Sequence, residues 1–171
     1  MGPLNLMLPT HLAVGYLGGV YSRFPVTALV IGSALPDVVG RPLYWAGLTP
    51  APHTVAHSLA VAIPVSLALI ALAGRRGVAL AIGWLVHIVT DAVNVLTTQG
   101  LALVPDYVLW LRPDPEPTMP DVAVTLELPL SDVGHTLHPV MLVVEFVVLC
   151  WALTIVGRRQ VLDLRRSADS R

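Results

Sequence analysis

The chain has 171 residues, enough for one domain, and 55% of them are hydrophobic while only 12% are charged. Soluble domains carry about 25% charged residues, so with a mean hydropathy of +0.74 the composition excludes an ordinary water-facing surface and points to an integral membrane protein. A net charge of −1 and one cysteine, Cys150, exclude a strongly basic nucleic-acid binder and an internal disulfide.

The N-terminal MGPLNLMLPTH has no basic stretch, so a cleaved leader is not expected. Two short apolar runs follow, Leu12–Tyr21 and Pro25–Leu35, separated by Ser22-Arg23-Phe24. Thr10 suits the N-cap of the first and Pro25 the first turn of the second. Both are short for a membrane crossing, and a tilted helical hairpin is expected. Thr54–Gly74 has no Lys, Arg, Asp or Glu, and Val78–Thr98 has one acid, Asp91. Each is about 20 residues, roughly 30 Å as a helix, which matches the hydrocarbon core. Pro64 is a candidate kink in the first of these two. Pro139–Gly157 is a third span, with Glu145 as its one charge.

Residues 105–139 differ in kind. They hold seven prolines, and VAVTLEL has strand character. An extramembrane loop over residues 105–138, carrying a hairpin, is expected. The expected architecture is an all-α, polytopic membrane helix bundle of about five helices, two short and three spanning. Residues 1–157 form its single domain, and the charged tail is residues 158–171. Cys150 and the tryptophans read as packing or interface residues.

Basic residues set the orientation. Arg23, Arg75-Arg76 and the Arg158, Arg159, Arg165, Arg166 group fall on one side of a five-helix arrangement. That side is expected to be cytoplasmic, with the C-terminus. Arg41 and Arg112 are the exceptions. The expected location is the cell (inner) membrane, with lipid as the surrounding partner and no nucleic-acid partner.

The candidate site residues are histidines and acids. In IGWLVHIVTDAVN, His87 and Asp91 are four apart and share a helix face. Ionisable groups at membrane depth are costly and face the bundle interior. Imidazole and carboxylate together suit Zn²⁺ or a similar divalent ion, and a His–Asp bond that ties helices together is the plain alternative. In HTVAHS, His53 and His57 are also four apart; alone they read as interfacial histidines. Asp37 in SALPD can cap a turn beside Pro36. His11 alone reads as a surface residue. The topology, however, puts His11, Asp37, His53 and His57 at one membrane face. Asp91 lies seven residues from the same end of its helix, roughly 10 Å deep, and Glu145 enters to a similar depth. Helix bundles build metal sites from such facing side chains. His135 and His138, three apart before the last helix, either line the mouth of this site or are plain loop histidines. Ser58 lacks a nucleophile-elbow setting, which argues against a serine hydrolase.

The ordered set His11, Pro36-Asp37, His57-Ser58, Gly83 with His87 and Asp91, and Gly100 resembles the membrane-bound, metal-dependent hydrolase family of LexA-regulated inner-membrane proteins. That family is distantly similar to zinc-dependent phospholipase C. The resemblance covers about residues 9–100. It implies metal ligands at His11, Asp37, His57, His87 and Asp91, catalytic roles for Asp37, His57, His87 and Asp91, and outer support from His53, Glu145 and His138. Zinc is the implied cofactor. A phosphoester or lipid-linked substrate, attacked by metal-activated water at the outer side of the membrane, is the implied reaction. Val39, the shortened HTVAH block and Met141 depart from the relatives' patterns, so one or two ions are expected rather than three. The competing expectation is a non-catalytic bundle that binds or transports metal. The nearly apolar stretches Val65–Ala73 and Val78–Leu85 argue against a through-channel.

Overall fold

A computed structural model describes residues 7–49, 53, 55–98, 100–109, 124–125, 136–137 and 139–169. Among them the fold is all-α. Its elements are α1 (Met7–Tyr21), α2 (Val26–Trp45), a 3-10 turn (Val55–His57), α3 (Leu59–Thr98), a second 3-10 turn (Leu101–Leu103), α4 (Val104–Leu109) and α5 (Pro139–Asp169). Val124–Thr125 pairs antiparallel with Thr136–Leu137, a two-residue trace of the expected hairpin.

The longest helix is two helices in practice. Gly74 has φ 51 and ψ −123, a left-handed conformation that breaks α3 into an arm of residues 59–73 and an arm of residues 75–98. The chain doubles back there, so that a Cβ at Gly77 would strike the Leu69 carbonyl. The arms then pack along each other through Ala62, Trp84 and Ile88. The Trp84 indole N–H donates to the Ala56 carbonyl at 2.8 Å. Ser58 starts the first arm as a cap: its hydroxyl accepts from the Ala60 N–H at 3.1 Å. The same hydroxyl donates to the Leu109 carbonyl at 3.2 Å, which ties α4 to the turn.

Three expectations are corrected. The second helix does not stop at Leu35: α2 continues through Pro36 and Pro42 for 20 residues, long and apolar enough to cross a membrane. Thr10 is not a cap but a buried residue inside α1, which begins at Met7. The bend in α3 is at Gly74, and the helix runs through Pro64. The second helix that meets the length and hydropathy of a crossing is residues 59–97, both arms together. The basic tail continues α5 to Asp169 as exposed helix.

Small residues let backbones touch where α1, α2 and α3 meet. A Cβ at Gly32 would collide with the Leu80 carbonyl oxygen, and one at Gly83 with the Leu29 carbonyl oxygen. A Cβ at Gly15 would meet the Ser33 hydroxyl. Close approach at glycine is how helices associate without large side chains between them. At the opposite end of the bundle from His11, the Arg75 guanidinium donates to the Arg23 carbonyl, and the Trp151 indole N–H donates to the Tyr21 hydroxyl at 3.2 Å.

The polarity of the packing is inverted. Leu72 is 86% exposed, Leu153 69% and Phe146 68%, whereas His11, His87, Asp37, Asp91 and Glu145 are buried. Scattered exposed leucines are ordinary, but a buried ionisable cluster under an apolar exterior is not.

Candidate metal centre

His87 is the best-fixed member of the cluster. It projects from the second arm of α3 beside Gly83, the glycine that admits the α2 backbone. That approach brings the Ser33 carbonyl within 2.7 Å of His87 Nδ1. A carbonyl oxygen can only accept, so Nδ1 carries a proton and Nε2 is the ring nitrogen left to face the cluster. Nε2 lies 3.2 Å from Asp91 Oδ2, without hydrogen-bond alignment to any described residue. A lone pair facing a carboxylate oxygen is repulsive unless a cation or a proton lies between them.

Asp91 sits one turn further along the same helix and divides its two oxygens. Oδ1 is 3.0 Å from His11 Nε2, on α1. Oδ2 faces His87 and accepts from the Tyr107 hydroxyl at 3.1 Å. His57, at the end of its 3-10 turn, brings Nε2 to 4.0 Å from both Asp91 Oδ2 and Asp37 Oδ1. Asp37 comes from α2, one turn after Ser33, buried rather than capping a turn at a helix end. Four separate chain segments thus deliver side chains to one point.

Two triads have ligand atoms within 4.8 Å of one another: His11, Asp37 and His87, and His57, His87 and Asp91. Tetrahedral zinc with bonds of 2.0–2.1 Å puts its ligand atoms about 3.3 Å apart, so small shifts bring either set onto an ion. His87 has one ring nitrogen not committed to the backbone and belongs to both triads. The triads are therefore two views of one centre, with Asp91 able to bridge toward His11. All five residues proposed from sequence meet here.

The imidazoles are packed closely, one pair stacked and the others tilted. His11 and His87 stack with centroids 3.9 Å apart, and His57 lies 5.1 Å from His87. So many rings at such distances cannot all be protonated. Outside the long helices, burial pushes the His57 imidazole down to about 3, and His53 to about 4, despite the opposing pull of Asp91. Both rings are neutral at pH 7, the form that ligates metal.

The supporting residues are placed as follows. His53 stacks on Tyr107 at 3.9 Å and leans on His57 at 4.7 Å; it belongs to neither triad. Glu145, on α5, is buried, within electrostatic reach of His11 and Asp91. His138, like His135, lies outside the described residues. Tyr107 was missed by sequence reasoning, which left it in a loop. It stands on α4, and burial and the Asp91 carboxylate raise its pKa well above that of free tyrosine, so the phenol stays protonated and donates. Ser58 is occupied as a helix cap and as the donor to the Leu109 carbonyl.

Comparison with family models, curated proteins and solved structures finds no match to this chain.

Proposed function

We propose that this protein is an integral membrane, metal-dependent hydrolase, with one principal divalent ion, zinc by donor chemistry, held by His57, His87, Asp91 and Asp37. The observation that carries the reading is His87: its Nδ1–H is committed to a backbone carbonyl, and its Nε2 points at a carboxylate among three further buried ligands. Backbone or carboxylate partners of this kind orient metal-binding histidines. The family resemblance supplies the reaction class, and the inverted packing supplies the membrane. Apolar side chains face outward along helices of spanning length, and ionisable ones face inward. The proximity of the Arg23 and Arg75 turns supports a common cytoplasmic side for the basic residues, with the site toward the outer face.

Held by these residues, a divalent ion would supply an acidified water and a positive charge to offset the charge that develops on the ester. The chain's own groups do the rest. Asp37 keeps one oxygen, Oδ2, buried and without a hydrogen-bond partner among the described residues, and serves as the base that takes a proton. Asp91 sets one oxygen against His11 and turns the other toward His87. His53 and Tyr107 cover the cluster and exclude water from one side.

The test is metal analysis of the full chain purified in detergent, followed by assays on phosphodiester and phospholipid substrates. At least about one zinc per chain is expected. His87→Ala and Asp91→Ala lose it, and chelation abolishes turnover. A protein with no stoichiometric metal, whose His87→Ala and Asp91→Ala variants look the same, overturns the reading. A non-catalytic bundle instead predicts that His87→Gln and Asp91→Asn change little beyond stability.

A further inference from the structure

Arg41, with Arg112, breaks the charge pattern of the sequence, in which the other basic residues fall at the opposite end of the bundle. It stands one turn after Asp37 on α2, and its side chain is only 13% exposed. Its Nε lies 3.4 Å from Asp37 Oδ1, an ion pair without the alignment of a hydrogen bond. Both Nε and Nη2 are buried and lack any hydrogen-bond partner among the described residues. Those two nitrogens form the side edge of the guanidinium, the fork that matches two oxygens of one carboxylate or phosphate. Buried charged donors left unpaired are costly, so their persistence beside the centre needs a partner. Asp37 is poorly suited to be that partner in full: one oxygen is shared with His57 and the other is not directed at the fork.

We infer that Arg41 is an oxyanion-binding residue that grips two non-bridging oxygens of a phosphoryl group next to the His–Asp centre. The inference deepens the hydrolase reading, on which it rests for the reaction, and gives the anionic end of the substrate its own residue. The phosphoryl group can belong to a lipid headgroup or to a soluble phosphate, since the fork recognises the chemistry common to both.

The experiment uses the full chain in detergent, zinc-loaded and metal-free, titrated with inorganic phosphate by calorimetry. Arg41→Gln removes the charge, and Arg41→Lys keeps the charge but removes the fork. Both are expected to weaken phosphate about 10- to 100-fold, with zinc content and melting temperature unchanged. In a second arm, nanodiscs of phosphatidylcholine containing phosphatidic acid are examined by native mass spectrometry. Phosphatidic acid retained by the wild type and lost from both variants assigns the headgroup as the source; loss of inorganic phosphate binding alone assigns soluble phosphate. Unchanged phosphate affinity in Arg41→Gln, or no phosphate binding by the wild type, overturns the inference. Loss of zinc from both variants also overturns it, because Arg41 then only props Asp37. Absence of zinc from the wild type is a failure of the hydrolase reading, and the metal-free titration still decides Arg41.

Discussion

At the scale of single residues, Asp91 has the most demands on it. One oxygen faces His11 at 3.0 Å, and the other faces His87 at 3.2 Å while accepting the Tyr107 hydroxyl. Tyr107→Phe removes one of these partners and leaves the ring stacked on His53. Outer partners of metal ligands tune affinity by about 10- to 100-fold, so Tyr107→Phe is expected to weaken zinc by roughly the low end of that range without unfolding the protein. Competition with a chromogenic chelator measures it, and unaltered affinity would mean that the phenol merely fills space. Asp91→Asn goes further: it removes the charge that His11 and His87 face, and zinc stoichiometry should fall below one per chain. The His87–Asp91 spacing was legible because a four-residue interval is a local property of one helix. Tyr107 was not, because its contact to Asp91 depends on α4 folding back onto α3, which no periodicity within residues 104–109 encodes.

Between elements, the site depends on how closely α2 and α3 approach. Gly32 and Gly83 face each other's backbones, and the same contact carries the Ser33 carbonyl to His87. Gly83→Ala puts a methyl against the Leu29 carbonyl and the Ser33 amide. Overpacking of this kind costs about 1–3 kcal/mol, and here the separation it forces also breaks the His87 Nδ1 hydrogen bond. A lowered melting temperature together with weakened zinc binding is expected. A purely structural contact predicts the first effect without the second. The helices on either side of Gly74 and the apolar part of α5 were readable from their apolar runs. The limits of α2 were not, since Pro36 argues for a stop and only the surrounding helices show that the chain continues through it. Gly74 is similar: the sequence there, Gly74-Arg75-Arg76-Gly77, marks a boundary, but the helical assignment on both sides shows how tight the reversal is.

Over the whole molecule, the arrangement sets a buried imidazole cluster inside an apolar shell, and this has a consequence for acid stability. Burial lowers His53 to about 4 and His57 to about 3 in the folded chain, against about 6.5 when unfolded. Between pH 6.5 and 4 the unfolded chain therefore binds protons that the folded chain does not. Stability rises with pH across that interval, is fully present above the unfolded value, and is lost as the pH falls toward the folded values. In chelator, with the full chain in detergent, the melting temperature is expected to drop from pH 6.5 to 4 as His53 and His57 titrate. His53→Gln should make that drop shallower, since it removes one of the titrating rings without adding a charge. Zinc at pH 7 should raise the melting temperature, because it binds the folded cluster alone, and the increment should shrink as protons compete for the imidazoles. A melting temperature that is flat from pH 7 to 4.5 in chelator, for wild type and His53→Gln alike, would show that the rings are reached by solvent and that the enclosed cluster does not form.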